Sequence, residues 1–276
     1  MSLIEVAGLR KVFRTRRGPV EAVAGIDFRV EAGEFVGYAG PNGAGKSTTV
    51  KMMSGILLPS GGRVEVCGMV PYRERKRLAR RMGVVFGQRT QLWWDLPLEE
   101  SFELVGHLYR IPRADRAARL RRLEEVLALG PLLGVPVRSL SLGQRMRAEL
   151  AAAVLPAPEV LFLDEPTIGL DVEAKAAVRD FLRELKRSEG TTVILTTHDL
   201  DDITRLCSRL LIIDTTAGAS TTAPWRRSGP PTAPHGCSWS TSPTTSRPRS
   251  PGPCSPGPRD GGAGSSSPAT RSARPS

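Results

Sequence analysis

Short apolar runs alternate with longer amphipathic segments along the first 214 residues of the chain. Helical spacing of apolar positions is clearest at 115–129, 143–155 and 173–187. The short apolar runs suit buried strands, and they lie at 3–6, 34–39, 83–86, 160–163, 192–196 and 209–213. Strands that alternate with helices predict an α/β domain with a mainly parallel sheet. The stretch 98–140 has helical patterns only, so we expect a helical subdomain, at about 88–150, inserted into a sheet domain that covers 1–214.

The chain changes character at Thr215. Between Thr215 and Ser276 there is no Leu, Ile, Val, Met, Phe, Lys or Glu, and Pro, Ser, Thr, Gly and Arg predominate. Such a segment cannot bury enough apolar surface to fold, so we predict a disordered tail over 215–276. The tail contributes +6 of the chain's net charge of +11, which leaves only a modest basic surplus in the rest.

The genetic code offers an explanation for this change. If the bases are read one position earlier, the TG that opens the codons of Cys237 and Trp239 closes codons for Leu, Met or Val. The segment 237–240 then becomes four consecutive apolar residues, provided that both of its serines use TCN codons. We therefore hypothesise that residues from about 215 are translated in a shifted reading frame. A genuine disordered, basic extension is the alternative.

The overall composition limits the class of protein. Hydrophobic residues make up 40% of the 276 residues, which is enough for a substantial core. The sequence has no apolar run of about 18 residues that would cross a membrane. The N-terminal sequence lacks the apolar segment of a signal peptide, so we expect a cytosolic protein. The four cysteines are far apart and indicate no zinc site.

A phosphate-binding loop follows the apolar run 34–39. The sequence GPNGAGKST fits the pattern G-x-x-x-x-G-K-[ST]. Its glycines would let backbone N–H groups approach phosphates, and the following helix would present its positive N-terminus to them. Lys46 would reach the β- and γ-phosphates of a nucleotide, and Ser47 would bind Mg²⁺. The predicted nucleotide-binding residues of this loop are Gly40, Pro41, Asn42, Gly43, Ala44, Gly45, Lys46, Ser47 and Thr48.

Two acidic residues follow the apolar run 160–163. An acidic residue at the end of a buried strand is where a P-loop enzyme holds Mg²⁺, so Asp164 is a predicted ligand. The adjacent Glu165 is placed to polarise a water that attacks the γ-phosphate, as a general base. Acidic residues that merely begin a helix would look the same, but the phosphate-binding loop upstream argues against that alternative.

The string LSLGQ at 140–144 lies about twenty residues before Asp164 and separates this chain from other nucleotide-binding classes. Together with the loop and the acidic pair, it resembles the ATP-binding-cassette (ABC) ATPases, from about Leu3 to Ile213. That family implies a P-loop NTPase fold with N-terminal antiparallel β strands. It also implies a signature motif that acts in trans, on ATP bound by a second cassette. The matching residues are Ser141, Leu142, Gly143 and Gln144, with Leu142 in place of the first glycine of the usual LSGGQ.

The resemblance implies four further site residues. Gln88 matches the Q-loop glutamine, which links Mg²⁺ and the attacking water to the helical subdomain. Asp171 matches the D-loop aspartate, and His198 matches the switch histidine that contacts the γ-phosphate. Phe13 takes the position of the aromatic ring that stacks on adenine, with a core phenylalanine as the alternative. The implied catalytic residues are thus Glu165, His198 and Gln88, and the implied Mg²⁺ ligands are Ser47, Gln88 and Asp164.

The resemblance also implies cofactors and partners. The cofactors are ATP and Mg²⁺, and the first partner is a second cassette, in a homodimer or a heterodimer. One cassette without a membrane segment fits a transporter subunit that pairs with separately encoded transmembrane permease subunits, on the cytoplasmic face of the cell membrane. Trp93 and Trp94 would anchor the permease, with packing inside the helical subdomain as the alternative. The string 87–104 resembles the branch paired with ABC-2-type permeases, which are mostly exporters.

Two alternatives stay open at this point. A soluble ABC ATPase acting on nucleic acid or ribosomes usually carries two cassettes, a long coiled-coil insertion or zinc modules, and none is visible. We therefore expect no specific nucleic-acid partner. An inactive truncated or frameshifted product is the second alternative. A GTPase is disfavoured because no N-K-x-D string follows the loop.

Overall fold

The computed structural model describes residues 2–87, 89–188, 190–213 and 220–224. The strands are β1 (Ser2–Thr15), β2 (Gly18–Glu31), β3 (Phe35–Ala39), β4 (Gly61–Val66), β5 (Met82–Phe86), β6 (Val160–Asp164), β7 (Thr192–Thr196), β8 (Arg209–Ile213) and β9 (Ser220–Pro224). The α-helices are α1 (Lys46–Met53), α2 (Arg75–Leu78), α3 (Leu98–Leu108), α4 (Arg113–Leu127), α5 (Leu142–Val154), α6 (Val172–Ser188) and α7 (Leu200–Leu206).

The larger sheet has the strand order β5-β6-β7-β3-β8-β9. All neighbouring pairs from β5 to β8 are parallel, and β9 alone runs antiparallel to its neighbour. This confirms the predicted mainly parallel sheet. Because parallel strands all end at one edge, the segments that follow β3, β5, β6 and β7 meet there.

The interior strand β6 is buried on both faces of this sheet. Val160 and Phe162 belong to the core shared with α1 and the smaller sheet, whereas Leu161 and Leu163 belong to the core shared with the helices α3 to α7. A strand covered on both faces reads as a continuous apolar run, which is why 160–163 was a clear strand signal. The burial fixes Asp164, the last residue of β6, at the carboxyl edge.

The smaller sheet has the strand order β2-β1-β4, and both pairings are antiparallel. It confirms the antiparallel N-terminal strands that the family resemblance implies. The apolar run 3–6 covers only part of the 14-residue β1, and no run was assigned to β2 or β4. The pairing of β1 with β2 shifts register at several points, among them between Val6 and Leu9. Such irregularities break the two-residue alternation on which a strand prediction depends.

The helical stretch lies between β5 and β6, which are neighbours in the larger sheet. It contains α3, α4 and α5 together with short 3₁₀ turns at Gly130–Leu132 and Val137–Ser139. The helices predicted at 115–129, 143–155 and 173–187 are present within two residues of their predicted ends. Over the part of the chain that the structure describes, no helix is both long and apolar enough to cross a membrane.

The predicted disordered tail is wrong at five residues. Ser220–Pro224 form β9, which pairs antiparallel with β8 in the register Leu211 to Thr222. Strand pairing uses backbone N–H and C=O groups, so the edge of β8 can pair with a segment whatever its composition. Residues 214–219 and 225–276 lie outside the described residues. The shifted reading frame stays a hypothesis.

Candidate functional site

The loop between β3 and α1 has a backbone that requires glycine at two positions. Gly45 caps α1 with φ of +85°, and a Cβ there would lie 2.2 Å from the carbonyl oxygen of Ala22. A Cβ on Gly40 would lie 2.6 Å from the carbonyl oxygen of Ile213. The loop is therefore pressed against β2 on one side and β8 on the other, with the N-terminus of an eight-residue helix behind it. Backbone N–H groups at such a terminus favour anions.

Replacing Gly45 with alanine is expected to lower the free energy of unfolding by about 2 kcal/mol or more. The alanine would have to adopt a left-handed backbone conformation, and its Cβ would clash with the carbonyl oxygen of Ala22. Nucleotide affinity should fall with it, since the clash moves the start of α1. Urea unfolding and titration with a fluorescent ATP analogue measure the two effects. Gly134→Ala is the matched control, because no atom lies within 4 Å of its Cβ position. Equal behaviour of the two variants would contradict this prediction.

The Lys46 ammonium lies inside the loop. Its Nζ donates to the carbonyl oxygens of Gly40, at 2.8 Å, and Pro41, at 3.1 Å, and the residue is only 6% exposed. A buried ammonium that is held only by neutral carbonyls carries an uncompensated charge. The loop thus offers one positive charge and a helix N-terminus to the same anionic group, which fits the terminal phosphates of a nucleotide.

The oxygen atoms of Ser47 and Asp164 meet where the loop faces the end of β6. Ser47 Oγ donates to Asp164 Oδ1 at 3.0 Å, and Thr196 Oγ1, from the end of β7, donates to the same oxygen at 2.6 Å. The start of α1 and the end of β6 thus bring the two predicted ligands together. Thr196 was not predicted, because a threonine inside an apolar strand carries no signal of its own in the sequence.

These oxygens fit Mg²⁺, a hard cation that takes one or two protein oxygens and completes its shell with phosphates and water. Among the described residues, no group of three or more His, Cys, Asp or Glu side chains could hold a metal without such help. A Mg²⁺ ion at this place would take its remaining ligands from nucleotide phosphates and water. Gln88, the third predicted ligand, lies outside the described residues.

Glu165 follows β6 in a strained backbone conformation. Its φ of +53° is in the left-handed region, which a residue with a Cβ adopts only when its surroundings impose it. The Glu165 N–H donates to the backbone oxygen and the hydroxyl of Thr196, at 3.0 and 3.1 Å. This turn keeps the carboxylate partly exposed, and Oε1 lies 3.7 Å from Nδ1 of His198. The predicted base and the predicted switch histidine are therefore side by side.

A cavity of about 360 Å³ lies beside Ser47, Asp164 and Glu165. Its lining consists of Ser47, Lys51, Ile56, Phe86, Gly87, Arg89, Asp164, Glu165 and Ile168. The ends of β5 and β6 and the start of α1 thus enclose one space, with carboxylates and cations on its walls. Two carboxylates and a hydroxyl on the walls of one cavity, next to a loop that favours anions, can activate water against a phosphate.

The signature residues lie at the N-terminus of α5 and are absent from the lining of that cavity. Ser141 Oγ accepts from the N–H of Gln144 at 3.2 Å, and Gln144 Oε1 accepts from the N–H of Ser141 at 2.8 Å. This reciprocal cap leaves Ser141 and Leu142 exposed. A Cβ on Gly143 would lie 2.7 Å from Cβ of Ala174 in α6, so this glycine permits a close approach of the two helices.

The remaining predicted residues have distinct surroundings. Asp171 caps α6, since its Oδ1 accepts from the N–H of Ala174 at 2.7 Å, and it is exposed. Phe13 is 38% exposed on β1, with the Lys11 ammonium 5.0 Å from the centre of its ring. That exposure argues against the core alternative for Phe13.

A network that was not predicted supports the segments after β6 and β7. The buried Asp202 accepts from the hydroxyl of Thr167 at 2.6 Å, from Thr197 at 3.4 Å and from Nε of Arg179. Thr167 follows Glu165 by two residues, and Thr197 directly precedes His198. One carboxylate of α7 therefore links the two segments that carry the predicted catalytic side chains.

The sequence profile of a family described as ABC transporter matches residues 23–168. Nod factor export ATP-binding protein I of Ralstonia nicotianae is 38% identical over 212 residues, which are 77% of this chain and 64% of that protein. Daunorubicin resistance ATP-binding protein DrrA3 of Streptomyces coeruleorubidus is 41% identical over 199 residues, 72% of this chain and 62% of that protein. ABC transporter ATP-binding protein NatA of Bacillus subtilis is 30% identical over 211 residues, 76% of this chain and 85% of that protein. The chain thus spans slightly less than two thirds of the first two relatives.

Solved structures have the same fold. A structure described as the ATP binding subunit of an ABC transporter superposes with a TM-score of 0.71 at 26% identity, over 80% of this chain and 90% of that one. The dimeric structure of MJ0796, described as a bacterial ABC transporter cassette, superposes with a TM-score of 0.69 at 25% identity, over 79% of this chain and 96% of that one.

Proposed function

The chain belongs to the ABC transporter family, and from this premise we propose that it is the ATP-binding and ATP-hydrolysing subunit of a membrane transporter. The meeting of Ser47, Asp164 and Glu165 around one cavity beside the phosphate-binding loop carries this proposal. A loop with an incidental lysine would not place a metal ligand and a strained, partly exposed carboxylate at the same edge of the sheet.

In the proposed reaction, the chain's own residues hold and activate the reactants. The N–H groups of the loop and the Lys46 ammonium bind the phosphates, and Phe13 stacks on the base. Ser47 and Asp164 would hold Mg²⁺, which would neutralise charge on the phosphate oxygens. Glu165 accepts a proton from the attacking water, and His198, 3.7 Å away, contacts the γ-phosphate. Gln88 is the proposed link between this site and the helical subdomain.

We propose that each site is completed by a second cassette. Ser141, Gly143 and Gln144 lie outside the lining of the Ser47–Glu165 cavity, and the capped N-terminus of α5 leaves Ser141 exposed. Supplied by a partner, this N-terminus would contact the γ-phosphate as anions contact other helix N-termini. Closure then depends on the γ-phosphate, so hydrolysis reopens the pair. Cδ2 of Leu142 is 3.2 Å from the position that a Cβ on Gly169 would take, so the signature motif and the D-loop 169–171 are neighbours. The exposed Leu142 and Asp171 would therefore lie at the same interface.

The partners in the membrane are separately encoded permease subunits in this proposal, and the chain lies on the cytoplasmic face. The relatives described as export and drug-resistance ATP-binding proteins support export as the direction of transport. They do not support the alternative of a soluble ATPase that acts on nucleic acid or ribosomes.

Hydrolysis of ATP by the purified chain tests this proposal. Phosphate release should require Mg²⁺, stop with a chelator and saturate with ATP concentration. Release that is unaffected by the chelator, or absent at saturating ATP in a folded protein, would contradict it.

Replacing Trp93 and Trp94 with alanine is expected to lower the fraction of the chain bound to membranes of its source cells about tenfold or more, because exposed aromatic anchors contribute strongly to interfaces. The rings are 37% and 47% exposed, which leaves them available to a partner. Basal hydrolysis should change less than about twofold, since neither ring lines the Ser47–Glu165 cavity. Val126→Ala, which truncates another exposed apolar side chain, is the control. Loss of folding in the double variant would instead support packing inside the subdomain.

A further inference from the structure

Glu149 is a buried carboxylate that the proposed reaction does not use. It lies in the second half of α5, is 4% exposed and belongs to the helix that begins at the signature residues. Its partners are on the segment that follows Gln88. The hydroxyl of Thr90 donates to Oε1, and the N–H of Gln91 donates to Oε1 and Oε2 at 3.1 and 3.2 Å.

This arrangement is specific to a carboxylate. Burial raises the pKa of Glu149, and the hydrogen bonds from Thr90 and Gln91 act in the opposite direction. A buried carboxylate persists in a fold where several donors surround it, and its removal leaves those donors without an acceptor. The side-chain amide of Gln91 also donates to the backbone oxygen of Glu149, at 3.3 Å. Hydrogen bonds from the loop thus reach both the side chain and the backbone of Glu149 in α5.

The same loop is bound to the signature region along the rest of its length. The N–H of Arg138 donates to the oxygen of Trp94 at 2.9 Å, and the N–H of Val137 donates to the oxygen of Leu96 at 3.1 Å. The Arg145 guanidinium lies 5.5 Å from the centre of the Trp94 ring. The loop 90–96 and the segment 137–149 therefore form one hydrogen-bonded unit.

We propose that Glu149 is a positioning residue, which fixes the signature end of α5 to the loop 90–96 so that the signature residues and the exposed Trp93 and Trp94 move together. This inference rests on the proposed function, since it assigns a role to a motif that acts on a partner's ATP. The eight residues from Leu142 to Glu149 are about 12 Å of continuous helix, which transmits a displacement at one end to the other. A partner that displaces the tryptophans would thereby displace Ser141 and Gly143.

The test compares Glu165→Gln with Glu165→Gln/Glu149→Gln as full-length proteins, because the first substitution prevents turnover during the measurement. Loss of the charged acceptor is expected to raise the ATP concentration for half-maximal dimerisation about tenfold. ATP affinity of the monomer, from a fluorescent analogue at low protein concentration, should change less than about twofold, because the signature residues do not line the site of their own chain.

Thr90→Val in the same background provides a second variant that removes one donor from an exposed position. It should raise the same ATP concentration, and the triple variant should show less than the sum of both effects, because the two groups share one hydrogen bond. Glu125→Gln, on an exposed position of α4, is the matched control. Unchanged dimerisation in Glu149→Gln, or an equal loss of monomer affinity and dimerisation, would overturn the proposal. Failure of the Glu165→Gln parent to dimerise would instead contradict the proposed function.

Discussion

Replacing Glu165 with glutamine is expected to lower the rate of ATP hydrolysis about 10²- to 10⁴-fold, because a carboxamide cannot accept the proton of the attacking water. The carboxylate follows β6 at a φ of +53° and lies 3.7 Å from Nδ1 of His198, so its position is imposed by the fold. Glutamine has nearly the same size and keeps the N–H bonds of the backbone to Thr196. Nucleotide affinity should therefore change less than about threefold.

Steady-state phosphate release measures the first quantity, and titration with a fluorescent ATP analogue measures the second. Glu125→Gln removes an exposed carboxylate from the same protein and should hydrolyse ATP like the wild type. Hydrolysis by Glu165→Gln at more than about a tenth of the wild-type rate would assign the base to another residue.

Replacing Lys46 with alanine is expected to reduce hydrolysis about 10²- to 10³-fold, and here nucleotide affinity should fall as well. The ammonium is buried and held by the carbonyl oxygens of Gly40 and Pro41, so it is already oriented towards the hollow of the loop. The ammonium is the only charged side-chain group of the loop 40–48. Without it, the phosphates lose an attractive charge both in bound ATP and in the transition state, so affinity and rate both fall.

Isothermal titration with ATP separates this variant from Glu165→Gln, because only Lys46→Ala should bind ATP weakly. Lys76→Ala removes a charge from the exposed α2 and serves as the control. Wild-type affinity in a folded Lys46→Ala protein would contradict the position assigned to the phosphates. Urea unfolding establishes that the variant is folded.

The strands that carry the site were predictable because they are buried on both faces. β3, β6 and β7 appear as short continuous apolar runs, and the loop and the acidic pair follow such runs directly. β2 and β4 were not predicted, because one face of each is exposed. β4 opens with Gly61 and Gly62, which have no preference for a strand, and the register shifts of β1 interrupt its alternation.

Only the site residues that belong to a sequence motif could be predicted. The contact of Ser47 with Asp164 could be predicted because each residue belongs to a recognisable motif, the phosphate-binding loop and the acidic pair after β6. Thr196, Glu149 and Asp202 depend on which strands and helices become neighbours, and nothing local marks them as partners. A buried carboxylate in a helix, such as Glu149, reads in sequence as one polar position among many. The tertiary fold alone brings its two donors, the Thr90 hydroxyl and the Gln91 N–H, to the carboxylate.

The tail shows a different limit. Composition predicts whether a segment can build a core, but it says little about whether the backbone can extend an existing sheet. β9 does so at the edge of β8, where Thr221 and Thr222 pair with Ile212 and Leu211.

Sedimentation velocity of full-length Glu165→Gln with Mg²⁺ and either ATP or ADP is the most direct test of a cassette that closes on ATP with a second cassette. The account predicts a dimer with ATP, a monomer with ADP, and a monomer in both when Lys46→Ala is added. A monomer with saturating ATP, or a dimer that forms regardless of the nucleotide, would contradict it.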